Sequence, residues 1–263
     1  MKEGGERAAD YCEEDIVRAL RAAGVSEGDD LFIHSNLGFF GKLEGATGPR
    51  GYFQAFKRAI LSVIGPQGTI AAPTFSFSFC WKREFDKAAT PGICGMFPEE
   101  LRKDPDALRS DDANFSVAAL GSRASFYTRE APQYSFGPDC FWERFLSKGG
   151  RFCNLNFDAA STFMHYAERR VGVPYRYDKG FSGIAVVDGA KVERRFYHYV
   201  YDLDKPNHYP VFERLHARAK AVGAVKTADL GRGQIVTISA ADSFASVRDG
   251  LAEDPAFLIR GPL

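Results

Sequence analysis

The chain has 263 residues, 45% hydrophobic and 26% charged, and its 34 Lys and Arg balance 34 Asp and Glu. That length suits one large domain able to bury roughly 70–75% of its unfolded surface, and the composition excludes general disorder and fibrous repeats. A neutral chain sets up no field toward nucleic acid or an anionic membrane. The polar start Met1–Asp10 carries no apolar leader core. No stretch approaches the roughly 18 apolar residues of a membrane helix, so a cytoplasmic protein without nucleic-acid or membrane partners is expected.

In chain order, Tyr11–Ala23 carries the stripe Ile16, Val17 and Leu20 and predicts a helix stopped by Gly24. Leu31–Ser35 is a short apolar strand, followed by a loop with Gly38, Gly41, Gly45, Gly48 and Gly51. Tyr52, Phe53, Phe56, Ile60, Val63 and Ile64 keep the helical period up to Gly65-Pro66, and Thr69–Phe75 is the next strand. Strand, glycine loop, helix and strand together predict a βαβ unit. Residues 76–110 are irregular apart from a short helix near Met96–Lys103. Ser116–Leu120 is a strand and Asp139–Lys148 a helix with Phe141, Phe145 and Leu146 inward. Arg151–Asn156 is a strand and Ser161–Val171 a helix. Ile184–Val187 and Val192–Val200 flank Asp188-Gly189, a hairpin turn signal. Pro210–Val222 is amphipathic through Phe212, Leu215, Ala219 and Val222. Gln234–Ser239 is a strand, Asp242–Leu251 a helix and Ala256–Ile259 a last short strand. No repeat or linker intervenes, so the pattern predicts one α/β unit over 1–263, with 175–210 packed on it as a hairpin subdomain.

The five cysteines form no Cys-x-x-Cys, no HExxH occurs, and the spacing fits no zinc pattern, so reduced thiols and no metal are expected. The 23 phenylalanines suggest a thick core and a ring-lined pocket. Among the histidines, His165 stands out because Thr162, His165 and Glu168 are successive i, i+3 neighbours. An imidazole beside a carboxylate is a general-base arrangement. Such pairs are common on helices, and by spacing alone an ordinary surface pair is the better reading. The glycine loop could bring backbone N–H groups to a phosphate, but it matches neither GxGxxG nor GxxxxGK[ST]. In Arg109–Ser116 an arginine and hydroxyls could bind an anion, or form a charged turn before a strand. Ser35 lies beside His34, yet the elbow GxSxG is absent. The run Tyr197–Tyr201 reads as a hairpin strand packing rings.

Four segments in order carry a resemblance. His34-Ser35-Asn36-Leu37 is similar to an HSSL segment at a first strand, and Gly68–Phe75 to a GTxxxPTF strand. Arg109–Ser116, continuing through Ala118 or Ala119 to Gly121, is similar to RSxHPxxSxxAxG, and Thr162, His165, Ala167 and Glu168 to a TxxHxAE helix. Over about residues 25–180 the chain resembles the aminoglycoside 3-N-acetyltransferase family. The resemblance implies an α/β layered sandwich, a mixed β-sheet flanked by helices, distinct from the GNAT fold. It also implies direct transfer of an acetyl or short acyl group from acetyl-CoA or another acyl-CoA to an amino sugar. It makes His165 the general base, Glu168 its partner and Thr162 a group near the thioester carbonyl. His34, Ser35, Asn36, Leu37, Arg109, Ser110, Ser116 and Val117 would cradle coenzyme A. Thr74, Phe75, Asp112 and Tyr177 would meet the acceptor.

Two departures shape the expected substrate. Asp112-Ala113 stands where aminoglycoside-modifying members have His-Pro. Pro73–Cys80, Phe85-Asp86 and Tyr201-Asp202-Leu203-Asp204 resemble the branch that acylates nucleotide-linked amino sugars for cell-surface polysaccharides. A nucleotide-linked amino sugar is therefore the expected acceptor. An aminoglycoside antibiotic, a non-catalytic sugar- or CoA-binding homologue, and a hydrolase using Ser35 or Ser110 are the alternatives. A homodimer is the default oligomer.

Overall fold

The computed structural model describes residues 8–205 and 207–261. The expected polar start thus falls largely outside it, at 1–7, as does residue 206 of the 175–210 segment. The chain runs α1 (Glu13–Ala22), β1 (Asp30–Ser35), a short helical turn (Leu37–Phe40), α2 (Gly48–Ile64), β2 (Thr69–Pro73), β3 (Phe85–Asp86) and α3 (Met96–Arg102). It continues through β4 (Leu108–Arg109), β5 (Val117–Gly121), α4 (Ala124–Thr128), α5 (Phe141–Ser147), β6 (Arg151–Leu155) and α6 (Phe163–Val171). Then come β7 (Arg176–Val187), β8 (Ala190–Tyr201), α7 (Glu213–Ala221), β9 (Lys226–Leu230), β10 (Gly233–Ser239) and α8 (Ala240–Glu253).

Seven strands form one mixed sheet in the order β4-β5-β2-β1-β6-β10-β9. The centre is parallel: β1 pairs with β2 on one side and β6 on the other, as the βαβ pattern predicts. The flanking strands β5 and β10 are antiparallel to their inner neighbours. The alternation of side chains along β1 decides what each layer covers. Leu31 and Ile33 join the core built with α1, α2 and α3. Phe32 faces the other way, into Phe141, Trp142, Phe145, Phe152 and Phe163 beneath α5, α6, α7 and α8. Burying a ring of this size contributes about 1.5–3 kcal/mol, so this aromatic layer anchors α5 and α6 to the sheet. The mixed sheet flanked by helices matches the expected fold class.

The same parity puts His34 on the face of Phe32, the face that α6 covers. The loops leaving β1 and β6 lie at the carboxyl ends of adjacent parallel strands, where open α/β sheets form their crevices. β7 and β8 form a long hairpin closed at Asp188-Gly189, both at positive φ, and β3 pairs with β7 to make a second, three-stranded sheet.

Three local expectations are corrected. Ala256–Ile259 is not a strand but consecutive turns, in which Asp254 caps the Ala256 N–H; Ala256, Leu258 and Ile259 are buried, the Leu258 carbonyl accepts from the Val211 N–H, and one bridge joins Ile259 to Pro210. Val222 is not inward but exposed past the end of α7. The hairpin strands begin earlier than their apolar runs suggest, because β7 pairs with β8 from Arg176 onward.

Candidate active site

α6 starts with Thr162 at its N-cap and carries His165 in its first turn and Glu168 one turn later. The i, i+3 spacing sends these side chains along one stripe, but to different depths. Glu168 is fully buried, while the His165 side chain keeps 21% of its surface exposed. A cleft of about 420 Å³ opens on that side, lined by His34, Phe157, Asp158, Thr162, His165 and Glu213 among others. The rings of Phe136, Tyr201 and Phe212 pack around His165.

Behind the imidazole stands Arg176, the first residue of β7. Its guanidinium lies 2.5 Å from His165 Nδ1 and 2.5 Å from Glu168 Oε2. It also donates to the Tyr199 carbonyl at 2.6 Å and stacks 3.5 Å from the centre of the Tyr201 ring. Glu168 Oε1 accepts from the Tyr175 hydroxyl at 2.8 Å, whereas Oε2 is 3.9 Å from His165 Nδ1. The arginine therefore stands between the imidazole and the carboxylate expected to hold it directly. A guanidinium only donates, so Nδ1 accepts and the neutral ring carries its hydrogen on Nε2. Burial, and next the Arg176 charge, push the His165 imidazole down to about 4. The ring is neutral at physiological pH.

His34 has the opposite arrangement. It pairs in register with Asn154 of β6, and its Nδ1 lies 2.9 Å from Asn154 Oδ1. The Asn154 amide nitrogen donates to the carbonyls of Asp158 and Ala160, which fixes which end of that amide faces the ring. Burial pushes His34 down to about 4.

The other expected residues separate into two groups. Asn36 lines a neighbouring cleft of about 460 Å³ with Phe39, Asn156, Phe157, Asp158 and Arg232. Ser35 is half-buried and Leu37 buried. Arg109, Ser110, Asp112, Ser116, Val117, Thr74 and Phe75 are all buried and line neither cleft. Arg109 donates to the carbonyls of Thr74, Lys87 and Thr90 and to the Ser116 hydroxyl, so its positive end is consumed by backbone. Ser110 Oγ accepts from the Val117 N–H, and Asp112 accepts from Ser135 and from the Asn114 and Phe115 N–H groups. The Arg109–Ser116 segment holds the ends of β4 and β5 together, and its polar groups are engaged within the fold. Tyr177 is 48% exposed, one position beyond Arg176 and on the other face of β7.

A covalent nucleophile finds no support. Alternation sends Ser35 and His34 to opposite faces of β1. Cys80 lies 3.7 Å from His198 Nδ1, but Asn114 donates to His198 Nε2 at 2.9 Å, leaving the ring's hydrogen on Nδ1, toward the sulfur. That ring cannot take the thiol proton, and burial pushes the Cys80 thiol up to about 11. Arg176, Asn154, Asp158 and Glu213 were not foreseen. Cross-strand pairing brings Asn154 to His34, and the start of β7 beside α6 brings Arg176 to His165.

The family model for aminoglycoside 3-N-acetyltransferase matches residues 32–252. Aminoglycoside N(3)-acetyltransferase VII of Streptomyces paromomycinus is 29% identical over 252 residues, covering 87% of this chain and 84% of that protein. The SPbeta prophage-derived aminoglycoside N(3')-acetyltransferase-like protein YokD of Bacillus subtilis is 23% identical over 205 residues, covering 69% and 72%. Among solved structures, aminoglycoside acetyltransferase AAC(3)-IIb superposes with a TM-score of 0.80 at 20% identity, covering 96% of this chain and 99% of that one. AAC-IIIb, solved as a binary complex with CoASH, gives 0.78 at 22% identity, covering 92% and 96%. These two structures share the fold.

Proposed function

The chain belongs to the aminoglycoside 3-N-acetyltransferase family, and we propose that it acetylates a primary amine of an aminoglycoside-type amino sugar in the cleft that holds His165. Membership makes it an N-acetyltransferase with acetyl-CoA as co-substrate. The observation that carries the acceptor is the charge of the cleft wall. Asp158 and Glu213 line it, and among its described lining residues there is no Lys or Arg. A unit-charge pair at about 4 Å is worth about 1 kcal/mol in water, so two carboxylates favour a cation over an anion by about 4 kcal/mol before salt screening. A polyammonium sugar suits such a wall; a nucleoside diphosphate does not. The relatives carry the aminoglycoside in their names, and Asp112-Ala113 is buried away from the cleft. Asp112-Ala113 therefore offers nothing to an acceptor in this cleft, and the nucleotide-linked sugar expected from the resemblance of Pro73–Cys80, Phe85-Asp86 and Tyr201-Asp202-Leu203-Asp204 gives way to an aminoglycoside.

Acetyl-CoA fits the adjoining cleft, which shares Phe157 and Asp158 with the first. The exposed rings of Phe39 and Phe157 offer stacking faces, and Arg232, exposed and paired with Asp10, lies at the same cleft. A thioester carbonyl reaching the His165 cleft meets Thr162 and the positive end of α6. His165 presents Nε2 to the reactants. While Arg176 donates to Nδ1, Nε2 carries the hydrogen and polarises the carbonyl oxygen. The general-base role expected from the motif needs the hydrogen on Nδ1, toward Glu168 Oε2 3.9 Å away, and so needs the Arg176 donor to leave Nδ1.

Release of free thiol from acetyl-CoA tests the reading, with aminoglycosides and nucleotide-linked amino sugars as parallel acceptors. Turnover is expected with aminoglycosides, and His165→Ala lowers kcat by about 10²–10⁴-fold. Turnover confined to nucleotide-linked sugars, or near-normal turnover by His165→Ala, overturns it.

A further inference from the structure

We propose that His216 is the positioning residue that fixes the wall between the two clefts, and through it the places of both substrates. The proposal rests on the acyl-transfer reading above and goes beyond it, since that reading gives His216 no part.

The wall is the loop of residues 156–162, which joins β6 to α6. Its Phe157 and Asp158 line both clefts. Backbone groups withdrawn from water need partners, and this loop finds them in side chains on either side. From β6, the Asn154 amide nitrogen donates to the Asp158 and Ala160 carbonyls. The Ala160 N–H closes back on Asp158 Oδ1 at 2.8 Å, so the Asp158 carboxylate keeps the direction that the loop gives it. Between these, the Ala159 N–H donates to His216 Nδ1 at 3.1 Å. Ala159 is fully buried, so water cannot take the place of that acceptor if it is lost.

His216 stands on α7, and α7 is itself referred to the reaction centre. Leu215 and Ala219 bury its inner face in the core that holds α6. Phe212, at its N-cap, packs against the His165 ring with centroids 6.2 Å apart. Glu213, in its first turn, lines the His165 cleft; His216, three positions later, lines the Asn36 cleft. One helix thus contributes to a wall of each cleft, and one hydrogen bond ties it to the wall they share. Releasing Ala159 moves Phe157 and Asp158 in both clefts together. His165 stays in place on α6, which Phe163, Met164 and Ala167 anchor in the core. The signature is two Michaelis constants that rise together while the chemical step is spared.

His216→Leu removes the acceptor, whereas His216→Asn puts an amide oxygen where Nδ1 stood. In His216→Leu, the KM for acetyl-CoA and the KM for the aminoglycoside should each rise about 5–10-fold, with kcat within about threefold of wild type. His216→Asn should bring both constants back to within about twofold. Calorimetric titration with CoA should give the same order of affinities without turnover. Hydrogen exchange at the Ala159 amide should be slow in the wild type and in His216→Asn, and fast in His216→Leu. Unchanged KM values in His216→Leu overturn the proposal. So does a KM for acetyl-CoA as high in His216→Asn as in His216→Leu, which would make the ring a coenzyme contact. Fast exchange at Ala159 in the wild type also overturns it, and that measurement needs no variant to fold. A wild type that binds CoA but acetylates no acceptor refutes the aminoglycoside reading instead, and the CoA affinities and exchange rates still decide the role of His216.

Discussion

Glu168→Gln removes one charge from an ion pair that is almost entirely enclosed: the glutamate side chain is 0% exposed and that of Arg176 1%. The substitution keeps the shape, and the amide oxygen can still accept from the Tyr175 hydroxyl. Arg176 is left buried with the Tyr199 carbonyl and the face of the Tyr201 ring. Breaking a buried pair from one side costs about 3–5 kcal/mol. A desolvated cation over a tyrosine face retains about 2 kcal/mol in either protein, so it does not offset that loss. The wild-type contact is close but poorly aligned, since neither Glu168 Oε2 nor Arg176 Nε makes a well-formed hydrogen bond. That places the expected loss near the lower bound, about 3 kcal/mol. At about 2–4 °C per kcal/mol for a chain of this size, Tm falls by about 6–12 °C. Replacing both partners, Glu168→Gln with Arg176→Met, should bring stability back to within about 1 kcal/mol of wild type, because no unpaired charge then remains. Urea unfolding followed by circular dichroism, read as a double-mutant cycle, measures both. A single variant within about 1 kcal/mol of wild type, or a double variant less stable than the single, would refute the reasoning.

Two further outcomes follow from the same contacts. His34 and His165 are held near 4 and His198 near 3, against 6.5 for a free imidazole. Above pH 6.5 all three are neutral whether folded or not; below it the unfolded chain takes up protons that the folded one refuses. Stability should therefore fall as pH drops from about 6.5, by up to about 1.4 kcal/mol per pH unit for each ring, down to about 4 for His34 and His165 and to about 3 for His198, below which the histidine contribution flattens. Unfolding midpoints that do not change between pH 7.5 and 5 would count against the buried neutral rings. In Gly233→Ala the new Cβ would lie 1.8 Å from Asn156 Oδ1, displacing the side chain that accepts from Gln234 N–H and donates to the Asn36 carbonyl. Losing one such bond costs about 0.5–1.5 kcal/mol, so KM for acetyl-CoA should rise about 2–10-fold with kcat little changed; an unaltered KM would show that the Asn36 cleft does not hold the co-substrate.

Periodicity exposes elements whose one face is apolar, and so α2, β1, β2, β6 and the βαβ connection were legible. It does not expose β9, whose sequence Lys-Thr-Ala-Asp-Leu is polar along an edge, or the first half of β7, which is ordered by its partner strand and not by its own pattern. The site divides the same way. Thr162, His165 and Glu168 could be grouped because helical spacing is a local property. The group nearest His165 Nδ1 could not, because it arrives on β7; Tyr177 was expected at the site, and strand parity gave that place to Arg176. Arg109 shows the converse case. Its residue type suits an anion, but a buried guanidinium must satisfy its donors, and here the nearest carbonyls are those of the fold.

Residue identity alone also leaves the direction of proton transfer open. His34 and His165 are the same side chain, comparably buried, in one cleft. A carbonyl oxygen 120 positions away makes one an acceptor, and a guanidinium 11 positions away makes the other a donor. Exchanging either neighbour for one of opposite hydrogen-bonding sense would reverse the ring it touches while leaving every motif residue in place. The tautomers are therefore set by Asn154 and Arg176 and not by the histidines themselves. Asn154→Asp tests this directly: a carboxylate at that position still accepts from His34 Nδ1, preserves the lone pair at Nε2 and adds a charge that favours the imidazolium. The acid limb of the kcat profile should then move to higher pH, whereas Asn154→Leu, which releases the tautomer, should lower kcat. Equal kcat–pH profiles in the two variants would sever the link between Asn154 and the direction of proton flow.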